Sequence, residues 1–170
     1  MDSTSESMEK EPVLRSNLVI GIGNADRSDD AVGLIAARRI REQVSEHCSV
    51  IEHTGEGAGL MELWKDADCV IVIDAMRSGA APGTVSRFDA TSRPLPAAMF
   101  RHSTHTFSLP EAVELSRVLQ QLPRQLIVYG IEAQNVKAGT HVGQAAKAAL
   151  ATVVERVLQE LPQEQLCSQE

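Results

Sequence analysis

Aromatic residues are scarce in this chain: one Trp, one Tyr and three Phe among 170 residues. Its interior must therefore be aliphatic, and with 43% of residues hydrophobic there is enough Val, Ile, Leu and Ala for one domain with a real core. Runs of basic residues are missing too, and the formal charge is −7. A general nucleic-acid binder needs clustered Lys and Arg to neutralise phosphates, so that class is excluded. A basic protein segment stays admissible as a partner. Only three cysteines occur, Cys48, Cys69 and Cys167. Their odd count and wide spacing, with no CxxC pair, rule out a disulfide framework or zinc ribbon and fit reduced thiols in a cytosolic protein. No stretch reaches the roughly 18 consecutive apolar residues of a membrane span. The opening MDSTSESMEKEPVLR lacks the basic start and apolar run of a signal peptide. The expectation is a soluble, cytoplasmic protein with no nucleic-acid or membrane partner.

What is present is an alternation of short apolar runs and helical periodicities. Residues 17–22 form a run of strand length closed by Gly23-Asn24. From Asp30 onward, Val32, Ala36, Ile40 and Val44 fall four apart, the spacing of one helix face. Further strands are expected at 48–52, at 69–73 (apolar at every position and ending at Asp74), at 84–88 and at 125–131. Short helices are expected at 60–65 and from the capping box Ser108-Leu-Pro-Glu111 to about Leu122, with Ala112, Leu115, Leu119 and Leu122 inward. A last helix covers about 142–161, with Ala146, Leu150, Val153 and Val157 inward. A continuous apolar strand implies burial on both faces. The order predicts an α/β fold: a single three-layer domain, a mainly parallel twisted sheet with helices on both faces. The divisions are a disordered tail at 1–15, one α/β domain at 16–162 and a polar C-terminal tail at 163–170.

In such folds ligands sit outside the carboxyl ends of the strands. Asp30, Asp74 and His105 are all predicted near that edge. Two carboxylates and an imidazole are a ligand set that a divalent transition metal accepts while keeping open positions. Each also has an ordinary explanation: Asp74 as a turn cap, Asp30 or its neighbour Asp29 as a helix N-terminal acid, His105 as a solvated loop residue. His102 lies three residues before His105, and His53 and His141 are further imidazoles without a nameable partner. Gly21-Ile-Gly23 after a strand suggests a dinucleotide fingerprint, but Asp26 stands where the third glycine belongs, and Asp26, Asp29 and Asp30 would repel a pyrophosphate. The glycines read better as a tight turn beside a site that wants negative charge. There is no HExxH and no GxSxG.

Four blocks in order carry a family resemblance: Gly21-Ile-Gly-Asn-Ala-Asp-Arg-Ser-Asp-Asp-Ala-Val-Gly33; Val72-Ile-Asp-Ala75 with Gly79-Ala-Ala-Pro-Gly-Thr84; Ser103-Thr-His105; and Val128-Tyr-Gly-Ile-Glu132. Together they resemble the maturation endopeptidases of nickel–iron hydrogenases. The resemblance implies that Asp30, Asp74 and His105 are the metal-binding and catalytic residues. It implies a substrate, the hydrogenase large-subunit precursor, that brings its own nickel and loses a C-terminal extension, and it implies no organic cofactor. The alternative is a checkpoint or chaperone that binds nickel-loaded precursor without cutting. The family usually has Gly after the second acid, where this chain has Ala31. A right-handed helical backbone there would make Ala the better residue, and a left-handed one would penalise it.

Overall fold

The computed structural model describes residues 16–100, 105–139 and 141–167. The expected tail at 1–15 lies outside the described residues, as do His102 and residues 168–170. The strands are β1 (Asn17–Ile22), β2 (Cys48–His53), β3 (Cys69–Met76), β4 (Val85–Asp89) and β5 (Gln125–Glu132). They form one sheet in the order β2-β1-β3-β5-β4. All pairings are parallel except that of β4 with β5. The helices are α1 (Val32–Arg41), α2 (Gly57–Trp64), α3 (Leu109–Val118) and α4 (Gln144–Glu160).

Strand alternation sorts the aliphatic side chains onto two faces. Val19, Ile71, Ile73, Ile127 and Ile131 meet α1 and α4, while Leu18, Ile20, Val70, Val72, Leu126 and Val128 meet α2 and α3. The helices thus cover both faces, which is why the central strands carry no polar alternation. Val32, Ala36 and Ile40 of α1 and Ala146, Leu150, Val153 and Val157 of α4 are buried as their spacing predicted.

Three local expectations are corrected. β3 does not stop before Asp74: it continues to Met76, because β5 supplies partners as far as Glu132, and Asp74 pairs with Gly130 inside the strand. α2 begins at Gly57 rather than Leu60, since the Glu56 carboxylate caps it by accepting the Ala58 and Gly59 N–H groups at 2.8 and 2.8 Å. In α3 the buried face is Leu109, Ala112, Val113 and Ser116, whereas Leu115 and Leu119 are 41% and 51% exposed. Ser116 is admitted to that face because its hydroxyl accepts the Trp64 indole N–H at 3.0 Å, tying α3 to α2. The helix ends at Val118, and Gln120 turns away with φ of +56°.

Helix α1 lies unusually close to the sheet. A Cβ on Gly33 would stand 2.1 Å from the Ile22 carbonyl oxygen and 2.4 Å from that of Ile73, and one on Gly23 2.1 Å from the Asp30 carbonyl oxygen. Glycine at 21, 23 and 33 therefore serves close approach of backbones, in place of the tight turn expected at 21 and 23. Past α4, the Ser45 N–H donates to the Gln165 carbonyl at 2.8 Å and the Cys167 N–H to that of Gln43 at 2.9 Å, so the chain packs back beside the end of α1.

Candidate functional site

The chain leaves β1 through α1 to β2, then returns through α2 to β3 on the other side of β1. β1 and β3 thus diverge at a topological switch point, where open α/β sheets form their ligand crevice. A cavity of about 670 Å³ opens there. Its walls include Asp30, Asp74 and His105 together with His53, Glu52, Arg27, Asn24 and Thr54, and Ile22, Leu34, Phe100 and Leu109 make it partly apolar.

The adjacent acids have separate tasks. A 3-10 turn at Ser28–Ala31 precedes α1 and buries both. One oxygen of Asp29 accepts the N–H groups of Gln134 and Asn135 at 2.9 and 2.9 Å, and the other accepts that of Gly143 at 2.7 Å. Asp29 thereby fastens the segment after β5 and the start of α4 to the loop after β1. Asp30 instead lines the cavity and confronts Asp74. Ala31 has φ of −81° and ψ of −7°, so the residue in place of the family's glycine bears no left-handed strain.

Asp74 is buried in the middle of a strand. Burial first, and the negative charge of Asp30 second, push its carboxyl well above the ordinary carboxylate range, against a smaller opposing effect of the Ala75 N–H. A divalent cation is the partner that would reverse both causes. His105 lies on the same cavity wall system, three residues before the Ser108 N-cap of α3. Both the N–H and the hydroxyl of Ser108 donate to Glu111, at 3.2 and 2.7 Å. Among the described residues no three His, Cys, Asp or Glu side chains converge tightly enough to hold a metal ion. The two aspartates are brought into electrostatic contact, and His105 shares their cavity without closing a three-residue cage.

Two further residues escaped the sequence reading as partners. His53 ends β2 in register with Ile22 of β1, so it reaches the same sheet edge one strand over. Its Nδ1 accepts the Gly55 N–H at 3.0 Å, and burial, with the nearby His105, outweighs Glu56 to lower its pKa. Glu56 is the second: it caps α2, and those N–H groups, then the nearby imidazoles, hold its carboxyl below the usual range. The strand-end position of His53 was the available signal, and Glu56 had none apart from the capping role. His141 is exposed and is not on the cavity wall.

The family described as hydrogenase maturation protease matches residues 34–160, a span that includes Asp74 and His105 and begins after Asp30. The hydrogenase expression/formation protein HupD of Thiocapsa roseopersicina is 26% identical over 117 residues, which is 68% of this chain and 53% of that protein. HupM of Azotobacter chroococcum mcd 1 is 29% identical over 119 residues, 68% of this chain and 56% of its own. The chain thus spans little more than half the length of these curated relatives. Among solved structures, the hydrogenase maturating endopeptidase HybD from E. coli superimposes with a TM-score of 0.71 at 22% identity, covering 84% of this chain and 89% of its own. The maturation protease HycI from Thermococcus kodakarensis gives 0.65 at 20% identity, covering 85% and 92%. At these identities the structural likeness speaks for the fold.

Proposed function

Because the chain belongs to the hydrogenase maturation protease family, we propose that it is a cytoplasmic endopeptidase for the large-subunit precursor of a nickel–iron hydrogenase. It reads nickel already carried by the precursor and removes the C-terminal extension. The observation that supports this most is the buried Asp30–Asp74 pair sharing one cavity with His105 at the switch point of the sheet.

Two like charges kept apart from water are costly, and an incoming divalent ion relieves that cost. A mixed oxygen and nitrogen donor set suits nickel, and three donors leave coordination positions for the precursor's own thiolates. In this reading Asp30, Asp74 and His105 grip metal that remains part of the substrate. That grip fixes the scissile peptide against the cavity, converting chemistry between two molecules into chemistry within one complex. The metal ion supplies carbonyl polarisation or an activated water.

The test uses nickel-loaded and nickel-free precursor incubated with the purified protein and weighed by intact-mass spectrometry. Loss of a C-terminal segment from the loaded form alone is expected. Unchanged mass with a stable nickel-dependent complex would replace the protease with a checkpoint, and neither cleavage nor complex would reject both.

A further inference from the structure

We propose that Gly139, in the connection between β5 and α4, is a positioning residue for Asp30: it holds the turn that carries the acid in a conformation the turn would not keep alone. The proposal rests on the peptidase reading above for its purpose, though not for its geometry.

The turn is strained where it begins. Ser28 has φ of +48°, a left-handed conformation that a residue with a side chain keeps only when its surroundings impose it. It stands two residues before Asp30, so a change in its backbone angles would swing the acid that follows. Gly139 supplies the constraint. Its carbonyl accepts the Ser28 N–H at 2.6 Å and its own N–H donates to the Asp26 carbonyl at 2.8 Å, a parallel bridge that straddles Arg27. The same segment holds the residues on either side of Ser28. The Val136 carbonyl accepts the Arg27 Nε–H at 3.3 Å, and the Asn135 carbonyl accepts the Asp29 N–H at 2.9 Å. Three consecutive residues are thus gripped from the connection between β5 and α4, and Asp30 is the next in line. Beyond it, Gly33 brings α1 against the carbonyls of Ile22 and Ile73. Asp30 is suspended between these two glycine contacts, one behind its turn and one in the helix.

The bridge needs glycine. Gly139 has φ of +145°, which L side chains rarely adopt, and a Cβ there would stand 3.2 Å from the Ser28 Oγ. Gly139 is exposed and off the cavity wall, so its contribution is the backbone bridge itself. Helix α1 does not depend on that bridge, because Val32, Ala36 and Ile40 bury it against the sheet. Weakening the bridge therefore loosens the Asp30 turn while the helix stays docked. A misplacement of about 1 Å, caused far from the chemistry, can cost roughly 100-fold in rate.

Gly139→Ala tests this, with Gly79→Ala as its control. Gly79 also has positive φ, +87°, but a Cβ there meets nothing within 4 Å, and it lies in the loop after β3, off the cavity wall. Its substitution strains a backbone without touching the Asp30 turn. The readouts are the amide ¹H–¹⁵N shifts and kcat/KM on nickel-loaded precursor. In Gly139→Ala the amides of residues 26–30 should be displaced, those of α1 beyond its first turn should stay at the parent's positions, and kcat/KM should fall by about 10–100-fold. Gly79→Ala should leave both the Asp30 amide and processing as in the parent. An undisplaced Asp30 amide in Gly139→Ala, or an equal loss of processing in both variants, would overturn the proposal. Hydrogen exchange of the parent tests it without substitution: the Ser28 amide should be protected, and exchange at the rate of a free peptide would overturn it even if Gly139→Ala failed to fold. If the parent itself leaves loaded precursor uncut, the peptidase reading fails, and the amide shifts and exchange alone then decide whether Gly139 holds the Asp30 turn.

Discussion

Two pairs of buried carboxylates are treated in opposite ways by this fold. Asp29 and Glu132, 1% and 4% exposed, are each met by backbone N–H donors. Asp29 takes three, and Glu132 accepts the N–H and hydroxyl of Ser78 and the N–H of Gly79, fastening the loop after β3. Asp30 and Asp74 are buried to a similar degree, 7% and 6% exposed, yet they face each other across the switch point. Burial alone therefore does not distinguish a structural acid from a functional one. The balance of charges differs: Asp29 and Glu132 are met by several N–H groups that favour the ionised form, while at Asp74 burial and the charge of Asp30 outweigh the Ala75 N–H.

Substitutions at the second pair should give the largest functional effects. Asp30→Ala, Asp74→Ala and His105→Ala are each expected to lower processing of nickel-loaded precursor by at least about 100-fold while leaving circular dichroism unchanged. His102→Ala should cost far less, and an equal loss would move the imidazole role to the other histidine. The first pair should answer in stability. Asp29→Ala leaves three buried N–H groups without their acceptor, so urea unfolding should report a loss of about 3 kcal/mol. If Asp29→Ala instead stopped processing with no change in the unfolding midpoint, the division of labour between the neighbours would collapse. Gly33→Ala tests what brings the functional pair together. Its added methyl would press on the end of β1 at Ile22 and on β3 at Ile73, beside Asp74, costing about 1–3 kcal/mol and moving Asp30 relative to Asp74. Processing should fall in the folded fraction as well.

Much of the scaffold was legible because a parallel sheet leaves a plain mark. Residues 69–73 are apolar throughout, and only a strand covered on both faces tolerates that. The four-residue spacing survived in α4, and in α1 as far as Ile40, because each helix packs one stripe on the sheet; Val44, expected on the same face, lies past the end of α1 in a bridge to Leu166. The stripe of α3 was misread because Ser116 faces inward on the strength of a hydrogen bond from Trp64, a partner 52 residues away. The sheet-edge placement of Asp30, Asp74 and His105 was legible from element order. Which of the twin acids braces and which faces the cavity was not, since Asp29 finds its donors 105–114 residues downstream. Gly21 and Gly23 were recognised and their purpose misjudged, because close approach of a helix to two strands leaves no local signature.

The central claim is that Asp74 is kept at the expense of stability for the sake of a ligand, and Asp74→Asn tests it most directly. The native state raises the Asp74 pKa above its unfolded value. It therefore binds the proton more tightly than the unfolded chain, and the acid's contribution to stability is lost as pH rises from about 4 toward the raised value. Thermal unfolding of parent and Asp74→Asn across that range should show the variant melting higher at neutral pH and the gap closing in acid, with processing of nickel-loaded precursor abolished. A variant that melts lower at neutral pH, or that still cuts the precursor, would contradict the account.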